Sequence, residues 1–443
     1  MSSTEHEESW VVFLSTFPPT ECGIATFTKD LVTTFDELYT PREKAKVIAI
    51  TYDEETNHSD DDSVIHQFYR NDPGAYARAA TFVNEQPEIE LVSVQHEFGI
   101  FHDAGMGYGR DLLTFLSALT KPAVVTFHTV LPDPDPVRMR VVSDIARYAA
   151  ELVVMTEASR DILQNEYGIP EKMITVIPHG IHPMEYTRSG NTKRSLDLAG
   201  RTVLSTFGLL SPGKGIEYVI EALPRVVREY PEVLFQVLGA THPEIVRKEG
   251  EAYRQKLEAR VRKLGLEEHV AFHNAYMSLE ELLGFLRATD IYLSTPLDPN
   301  QAVSGTLTYA LGAGRPVIAT AFAQAKEDVT PDVGRCVGFR APDEIADAII
   351  ELLKRPRRLR ELGRNAYFKT RSMVWRNVLL QYMRVFRRHV PRLHKKELNL
   401  PQPTLKHFNR MTDDFGMYQF ATLTRPNVDS GYTLDDNARA LIA

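Results

Sequence analysis

Short apolar segments alternate with longer amphipathic segments over roughly the first 190 residues. The apolar segments predict strands at 10–16, 45–50, 91–96, 123–127, 151–156 and 173–178, and the segments between them predict helices at 24–36, 74–84, 108–119 and 136–149. Apolar strands separated by helices are typical of a parallel sheet covered by helices on both faces. The pattern predicts a doubly wound, Rossmann-like α/β domain over residues 1–190.

The same alternation begins again after a polar stretch at 187–200, which we interpret as a linker because it lacks periodicity. Strands are predicted at 203–207, 234–239, 270–273, 291–295, 316–320 and 334–339, with helices at 214–229, 242–264, 278–288, 305–313 and 342–354. A second Rossmann-like domain is therefore predicted over 196–371. Ligands of such sheets bind beyond the carboxyl ends of the strands, so we expect the site in the cleft between the two domains.

A strongly amphipathic helix is predicted at 372–390, with Ser372 as its N-cap. We expect it to return to the first domain and to bury its apolar face there, which consists of Val374, Trp375, Val378, Leu379, Tyr382, Met383 and Phe386. The basic, proline-containing segment 391–403 is predicted to be a second linker. Residues 404–443 are too few for a core of their own, and we expect them to be the truncated start of a third, helical domain.

The composition is that of a globular protein, with 43% hydrophobic and 25% charged residues. A formal charge of −8 argues against general binding to nucleic acid. The two cysteines, Cys22 and Cys336, provide no disulfide framework, and the acidic N-terminus is unlike a signal peptide. No apolar run reaches the roughly 20 residues of a membrane helix. We expect a cytoplasmic protein that could contact a membrane only peripherally; its oligomeric state is not predicted.

Polar residues follow the predicted strands of the first domain. Gly23 lies at the first strand-to-helix turn, where an anion could approach the amides at the helix N-terminus, although the glycine could serve the turn alone. Two later strands end in Gln95, His96 and Glu97, and in His128. Because neighbouring parallel strands end at one sheet edge, we expect His128 to line the substrate site. Gln95, His96 and Glu97 are predicted on the acceptor side, with a purely structural pair of His96 and Glu97 as the alternative.

The second domain carries the predicted phosphate site. Gly208 opens a loop after the first strand, and Lys214 and Gly215 begin the next helix. A lysine and the free amides at a helix N-terminus both attract a diphosphate, whereas the alternative is a solvated lysine on an ordinary turn. A second helix opens at Ser304, Gly305 and Thr306, and its amides would face the same diphosphate. Gln301 and Tyr309 flank this loop, and their side chains could bind sugar or ribose hydroxyls.

Together these motifs resemble the retaining glycosyltransferases of family 4, which have the GT-B architecture of two facing Rossmann-like domains. The resemblance covers nearly all of 10–390 and includes Gly23, His128, "IPHGI" at 177–181, "G-x-L-x-x-x-K-G" at 208–215, "YALGAGRPVIAT" at 309–320 and "SMVW" at 372–375. Further segments resemble a bacterial subgroup with a C-terminal helical barrel: "QHEFGIF", "TFHTVL", "SGTL-x-YAL" and "LTRPNVDSGYTLDDNARALI".

The resemblance implies transfer of a hexose from a nucleoside-diphosphate sugar to a carbohydrate or other hydroxyl acceptor, without metal or other cofactor. It implies catalytic roles for His128 and Lys214. Family members usually have an arginine where this chain has Leu209, and two glutamates where it has Gln301 and Tyr309. These departures favour an alternative, a catalytically weak GT-B module that binds a sugar nucleotide or glycan and regulates or scaffolds the C-terminal domain. A GT-B phosphorylase or epimerase is a third possibility.

Overall fold

Two parallel sheets, each covered by helices on both faces, form the body of the protein. The computed structural model describes residues 8–101, 109–187, 189–393, 406–422, 425–434 and 437. The chain divides into two compact units, Met1–Leu393 and His394–Ala443, and both sheets belong to the first unit.

The first sheet has seven parallel strands in the order β3-β2-β1-β4-β5-β6-β7. Its strands are β1 (Ser9–Ser15), β2 (Glu43–Thr51), β3 (Val64–Tyr69), β4 (Ile89–His96), β5 (Ala123–Phe127), β6 (Glu151–Val154) and β7 (Ile174–Val176). The helices of this lobe are α1 (Gly23–Tyr39), α2 (Pro73–Glu85), α3 (Asp111–Ala118), α4 (Pro136–Tyr148) and α5 (Glu157–Asn165). The strand order reverses beside β1, so the carboxyl ends of β1 and β4 flank the crevice where such folds bind ligands.

The second sheet has six parallel strands in the order β10-β9-β8-β11-β12-β13. Its strands are β8 (Thr202–Phe207), β9 (Val233–Leu238), β10 (Val270–His273), β11 (Ile291–Ser294), β12 (Val317–Thr320) and β13 (Gly334–Val337). Its helices are α6 (Ser189–Ser195), α7 (Ile216–Glu229), α8 (Pro243–Glu249), α9 (Ala252–Lys263), α10 (Leu279–Ala288), α11 (Gly305–Gly312), α12 (Ala323–Asp328), α13 (Pro342–Leu353) and α14 (Pro356–Lys369). The predicted GT-B fold of two doubly wound sheets is confirmed.

A last long helix, α15 (Trp375–His389), packs on the first lobe. Its buried face joins the cluster that contains Phe13 of β1 and Phe35 of α1. The two crossings of the chain between the lobes lie side by side. There the amide of Ile181 donates a hydrogen bond to the carbonyl oxygen of Met373, and the amide of Trp375 donates one to the carbonyl oxygen of Ile181. Ser372 is not the N-cap, because a short 3₁₀ turn, Arg371–Met373, precedes the helix and Val374 caps it without a side-chain bond.

Three local predictions were wrong. Strand β3 was missed because polar His66 and Gln67 interrupt its apolar pattern and an acidic run precedes it. The predicted linker 187–200 contains helix α6, whose Lys193 and Ser189 bond Asp290 of the second lobe. The predicted helix 242–264 is two helices, α8 and α9, separated at Gly250, whose φ is +61°.

The second unit is described in part. It contains α16 (Lys406–Met411) and a two-stranded antiparallel ribbon of β14 (Ala421–Thr422) and β15 (Arg425–Pro426). The carboxylate of Asp413 accepts hydrogen bonds from the hydroxyls of Tyr418 and Tyr432, and these bonds lower the pKa of Asp413 to about 2. In the described part of the chain, every helix is too short or too polar to cross a bilayer.

Candidate active site

A cleft of about 720 Å³ lies between the carboxyl ends of the two sheets and is lined by residues of both lobes. The first lobe contributes the loop after β1 and the first turns of α1. The second lobe contributes the loop after β8, the start of α11 and the segment before α10. Of the predicted site residues, the wall contains Gly23, Gly208, Lys214, Gly305, Thr306 and Tyr309.

Lys214 projects a cation into this cleft. Lys214 is the last residue of the 3₁₀ turn Pro212–Lys214. Its carbonyl oxygen accepts a hydrogen bond of 3.0 Å from Thr295 Oγ1, and this bond holds the turn against the loop that follows β11. No described residue forms an ion pair or hydrogen bond with its ammonium group. Burial lowers the pKa of Lys214 because the charged form has lost solvent. An anion in the cleft would restore that lost stabilisation.

Gly215 was predicted to bind the donor, but it lies behind the wall. It is the N-cap of α7 and has a φ of +62°, a conformation that favours glycine. A Cβ at this position would lie 2.4 Å from the carbonyl oxygen of Thr295. This close packing of the backbone fixes the position of Gly215 and directs the Lys214 turn toward the cleft. Helix α7 begins at Ile216, not at Lys214 as predicted.

The N-terminus of α11 faces the same space. Ser304 is buried and caps the helix, because its Oγ accepts a hydrogen bond of 3.3 Å from the amide of Leu307. The amides of Gly305 and Thr306 have no intrahelical acceptor. Both residues line the cleft, whereas Ser304 does not, so its part is to cap the helix whose free amides are open to a ligand.

His179, in the "IPHGI" segment after β7, lies against this helix end. A Cβ on Gly305 would lie 2.9 Å from His179 Nε2, so only glycine permits this approach. Nδ1 of His179 is 2.7 Å from the carbonyl oxygen of Gly180, which requires the proton on Nδ1. Burial lowers the pKa of His179. The neutral ring therefore presents Nε2 as a hydrogen-bond acceptor beside the start of α11.

Tyr309 connects the lobes across the cleft. Its hydroxyl donates to Asp30 Oδ2 of α1 at 3.4 Å, and Nε2 of His182 lies 3.1 Å from the same oxygen. Burial and the neighbouring Asp30 carboxylate raise the pKa of Tyr309. Gln301 is placed differently: its Nε2 donates to the carbonyl oxygen of Val303 at 3.2 Å, and it is outside the wall.

On the first-lobe side, the wall begins with the N-terminus of α1. Cys22 caps this helix by accepting a hydrogen bond of 3.3 Å from Ala25. Gly23 follows, and a Cβ there would meet no atom within 4 Å, so packing does not require glycine at this position. The open space agrees with the predicted approach of a ligand to the helix amides.

His128 lies one layer behind the wall. Its Nε2 is 2.9 Å from Gln95 Oε1, and Gln95 in turn donates to Ser93 Oγ at 3.3 Å. The ring meets Phe27, a wall residue, edge to face at 4.8 Å. Burial, followed by the nearby His179 and His96, lowers the pKa of His128 to about 3, so the imidazole is neutral. His128 is half-buried and is not among the described residues that line the cleft, where it was predicted to lie.

The other predicted acceptor-side residues are also directed inward. His96 is fully buried among the rings of Phe98, Phe101 and Phe127, where burial lowers its pKa to about 3. Glu97 accepts hydrogen bonds from Thr129 Oγ1 at 2.6 Å and from the Phe98 amide at 2.9 Å. Burial raises the pKa of Glu97. The alternative of a direct His96–Glu97 pair is not found.

Comparison with known proteins agrees with this two-lobed cleft. The family model described as "Glycosyltransferase Family 4" matches residues 23–185, and that described as "Glycosyl transferases group 1" matches residues 191–369. The two matches together span both lobes. The chain belongs to the family 4 glycosyltransferases.

Two curated relatives of this family 4 glycosyltransferase are bacterial enzymes. Mannosylfructose-phosphate synthase of Agrobacterium fabrum is 26% identical over 54% of this chain and 53% of its own length. Phosphatidyl-myo-inositol mannosyltransferase of Propionibacterium freudenreichii subsp. shermanii is 30% identical over 55% of this chain and 59% of its own length. The chain thus spans a little over half the length of these curated relatives.

Solved structures show the same fold at low identity. Anabaena Alr3699/HepE, crystallised in complex with UDP, superposes with a TM-score of 0.67 and 18% identity, covering 85% of this chain and 98% of that one. Sucrose-phosphate synthase of Thermosynechococcus elongatus has a TM-score of 0.69 and 16% identity, covering 87% of this chain and 100% of that one.

The residues of the wall and its surroundings that were missed from the sequence include Asp30, His179 and His182. Asp30 lies inside a helix pattern, where a charged residue usually indicates a solvated face. His179 lies in "IPHGI" and His182 follows it directly. Two histidines so soon after a predicted strand were the signal from which they could have been predicted.

Proposed function

We propose that this protein transfers a hexose from a nucleoside-diphosphate sugar to an acceptor hydroxyl, with retention of the anomeric configuration. The observation that carries the proposal is the unpaired ammonium group of Lys214, which shares one cleft with the free amides at the start of α11. A cation and helix-end amides directed at one space suit a diphosphate. The UDP complex of the structural neighbour HepE supports the same ligand class.

In this proposal, the second lobe stabilises the leaving group. As the bond between sugar and diphosphate breaks, negative charge grows on the phosphate oxygen. Lys214 would balance that charge, and the Gly305 and Thr306 amides would donate hydrogen bonds to the phosphates. Burial of Lys214 strengthens this effect, because fewer water molecules screen it. We propose that these groups suffice without a metal or other cofactor.

The sugar and acceptor would lie between the phosphate site and α1. His179 Nε2 can accept a hydrogen bond from a sugar hydroxyl, and the Tyr309–Asp30 contact closes this end of the cleft. His128 would act by holding Phe27 in the wall. We assign no protein residue as the base, and a donor-phosphate oxygen would take the proton from the acceptor hydroxyl. Retention then follows from attack on the face that the diphosphate leaves.

A donor panel tests the proposal. The protein is incubated with individual UDP-, GDP- and ADP-sugars, with and without a mixture of simple glycan acceptors, and release of nucleoside diphosphate is measured. We expect one donor to be turned over and NMR to show a product with the donor's anomeric configuration. Product of the opposite configuration would refute retention, and absence of turnover with every donor would refute the transferase.

The alternative, a catalytically weak module that binds a sugar nucleotide or glycan, is favoured by two observations. Leu209 places an apolar side chain in the wall, and Gln301 is held away from the cleft by Val303. If calorimetry shows binding of a sugar nucleotide that no acceptor or water consumes, the binding module is the better description.

A further inference from the structure

The two walls of the cleft differ in charge. Among the described residues of the second-lobe wall, Lys214 is the only lysine, arginine, aspartate or glutamate. On the first-lobe wall, the charged residues in the part of the chain that the structure describes are Glu21, Lys29 and Asp30. The donor side therefore has a net positive charge, and the facing side contains two carboxylates and one amine.

The amine of the first-lobe wall is already neutralised. Lys29 Nζ forms an ion pair of 3.0 Å with Asp61 Oδ2 and lies 5.1 Å from the centre of the Phe17 ring. Asp61 ends a segment that carries Asp53, Glu54, Glu55 and Asp60 and is followed by Asp62. His58 of the same segment bonds the carbonyl oxygen of Phe17 at 3.2 Å, which holds the acidic segment beside the loop that lines the cleft.

The remaining positive feature of this wall is the N-terminus of α1, equivalent to about half a charge. This partial charge is smaller than that of the two carboxylates of the same wall, Glu21 just before the helix and Asp30 within it. A phosphate group on an acceptor would carry nearly two negative charges at neutral pH. Such an acceptor would approach a wall of its own sign, whereas a neutral sugar meets no such repulsion and can donate hydrogen bonds to the carboxylates.

We propose that the acceptor is an unphosphorylated, uncharged or cationic carbohydrate, and that Glu21 is a residue that rejects phosphorylated acceptors. This inference rests on the proposed transferase function and adds the chemical class of the acceptor. Glu21 is the discriminating residue because it is exposed at the cleft, whereas Asp30 is half-buried and accepts a hydrogen bond from the Tyr309 hydroxyl.

The test compares matched acceptors. With the active donor at saturation, kcat/KM is measured for mannose, fructose and myo-inositol and for a phosphate monoester of each, at low and high salt. We expect the neutral member of each active pair to be favoured at least tenfold, with the preference shrinking in high salt because the wall charges are screened. Equal or better use of the phosphorylated members would overturn the inference.

Two variants separate charge from shape. Glu21→Lys should shift the ratio toward phosphorylated acceptors by about tenfold, and Glu21→Gln should shift it by less. Glu267→Lys makes the same change of charge at an exposed position outside the wall, and it should leave the ratio unchanged. An equal shift in Glu267→Lys, or none in Glu21→Lys, would contradict the role of Glu21.

A binding measurement distinguishes failure of the inference from failure of the transferase. Saturation-transfer NMR on the UDP-loaded protein compares the same neutral and phosphorylated sugars without any need for turnover. Weaker binding of the phosphorylated members, relieved by Glu21→Lys, would support the inference even if every donor were inert. Tighter binding of the phosphorylated members would overturn it whether or not transfer is observed.

Discussion

The strand ends of the two lobes use their polar residues in opposite ways. In the first lobe, Gln95 pairs with His128 and Glu97 pairs with Thr129, so these groups satisfy each other behind the wall. In the second lobe, Lys214 and the start of α11 remain open to the cleft. Both sheets have the same order about their first strand, so fold alone does not decide which strand ends serve a ligand. The decisive difference is whether the polar groups are paired or buried within the protein or remain open to the cleft.

The largest expected effect comes from removing the open cation. Lys214→Ala should lower kcat/KM for the donor at least thirtyfold, about 2 kcal/mol, because the diphosphate loses its balancing charge. Steady-state release of nucleoside diphosphate measures it. Lys29→Ala is the matched control, since this lysine lies in the first-lobe wall and its ammonium is already paired with Asp61, and it should change this constant less than threefold. If Lys214→Ala kept its activity within twofold of wild type, the second-lobe strand ends would not hold the donor phosphates through this cation.

The buried histidines at the strand ends of the first lobe should make the free energy of unfolding depend on pH. His96 and His128 have ordinary pKa values near 6.5 when unfolded and about 3 when folded, so the native state excludes their protons. Their stabilisation is complete above about pH 6.5 and is lost as the pH falls toward 3, by up to about 1.4 kcal/mol per pH unit and histidine.

The variant His96→Leu isolates this contribution, because no described residue hydrogen-bonds its ring. Urea unfolding at pH 7.0 and 5.5 should show a smaller loss of unfolding free energy in the variant than in the wild type. Identical losses would mean that His96 does not remain neutral in the fold.

Two glycines at helix N-termini, one in each lobe, test the same difference between the lobes. Gly305→Ala forces a Cβ to 2.9 Å from His179 Nε2 and should lower donor kcat/KM about tenfold. Gly23→Ala adds a Cβ with no atom within 4 Å and should leave the melting temperature unchanged. If Gly23→Ala lowers donor affinity without changing the melting temperature, the α1 amides also contact the donor.

The smallest effect is expected at the contact between the lobes. Tyr309→Phe removes the hydrogen bond to Asp30, which is long at 3.4 Å, and should cost about 1 kcal/mol or less in the binding of nucleoside diphosphate. Isothermal calorimetry measures this change. An effect larger than that of Gly305→Ala would mean that the Tyr309 hydroxyl binds the ligand directly.

The sequence determined the two doubly wound domains, the family and the positive donor side. Strand periodicity is a local property, and most strands of β1 to β13 were found from it. Gly208, Lys214, Gly305 and Thr306, which line the cleft, could be predicted because a helix N-terminus after a strand end is visible within a few residues of sequence. Strand β3 and helix α6 were not predicted, because polar residues interrupt their hydrophobic patterns and those residues form their contacts only in the folded chain.

Only the tertiary structure decided which polar residues face the cleft. The direction of a side chain at a strand end depends on its neighbours, as Gln95 shows by turning to His128. Asp30 reaches Tyr309 across 279 positions of sequence, and no local pattern could have joined them. The charge of the first-lobe wall likewise depends on Asp61 neutralising Lys29. The physical reason is the same in each case: burial and pairing are long-range properties, and they determine whether a polar group stabilises the fold or remains available to a ligand.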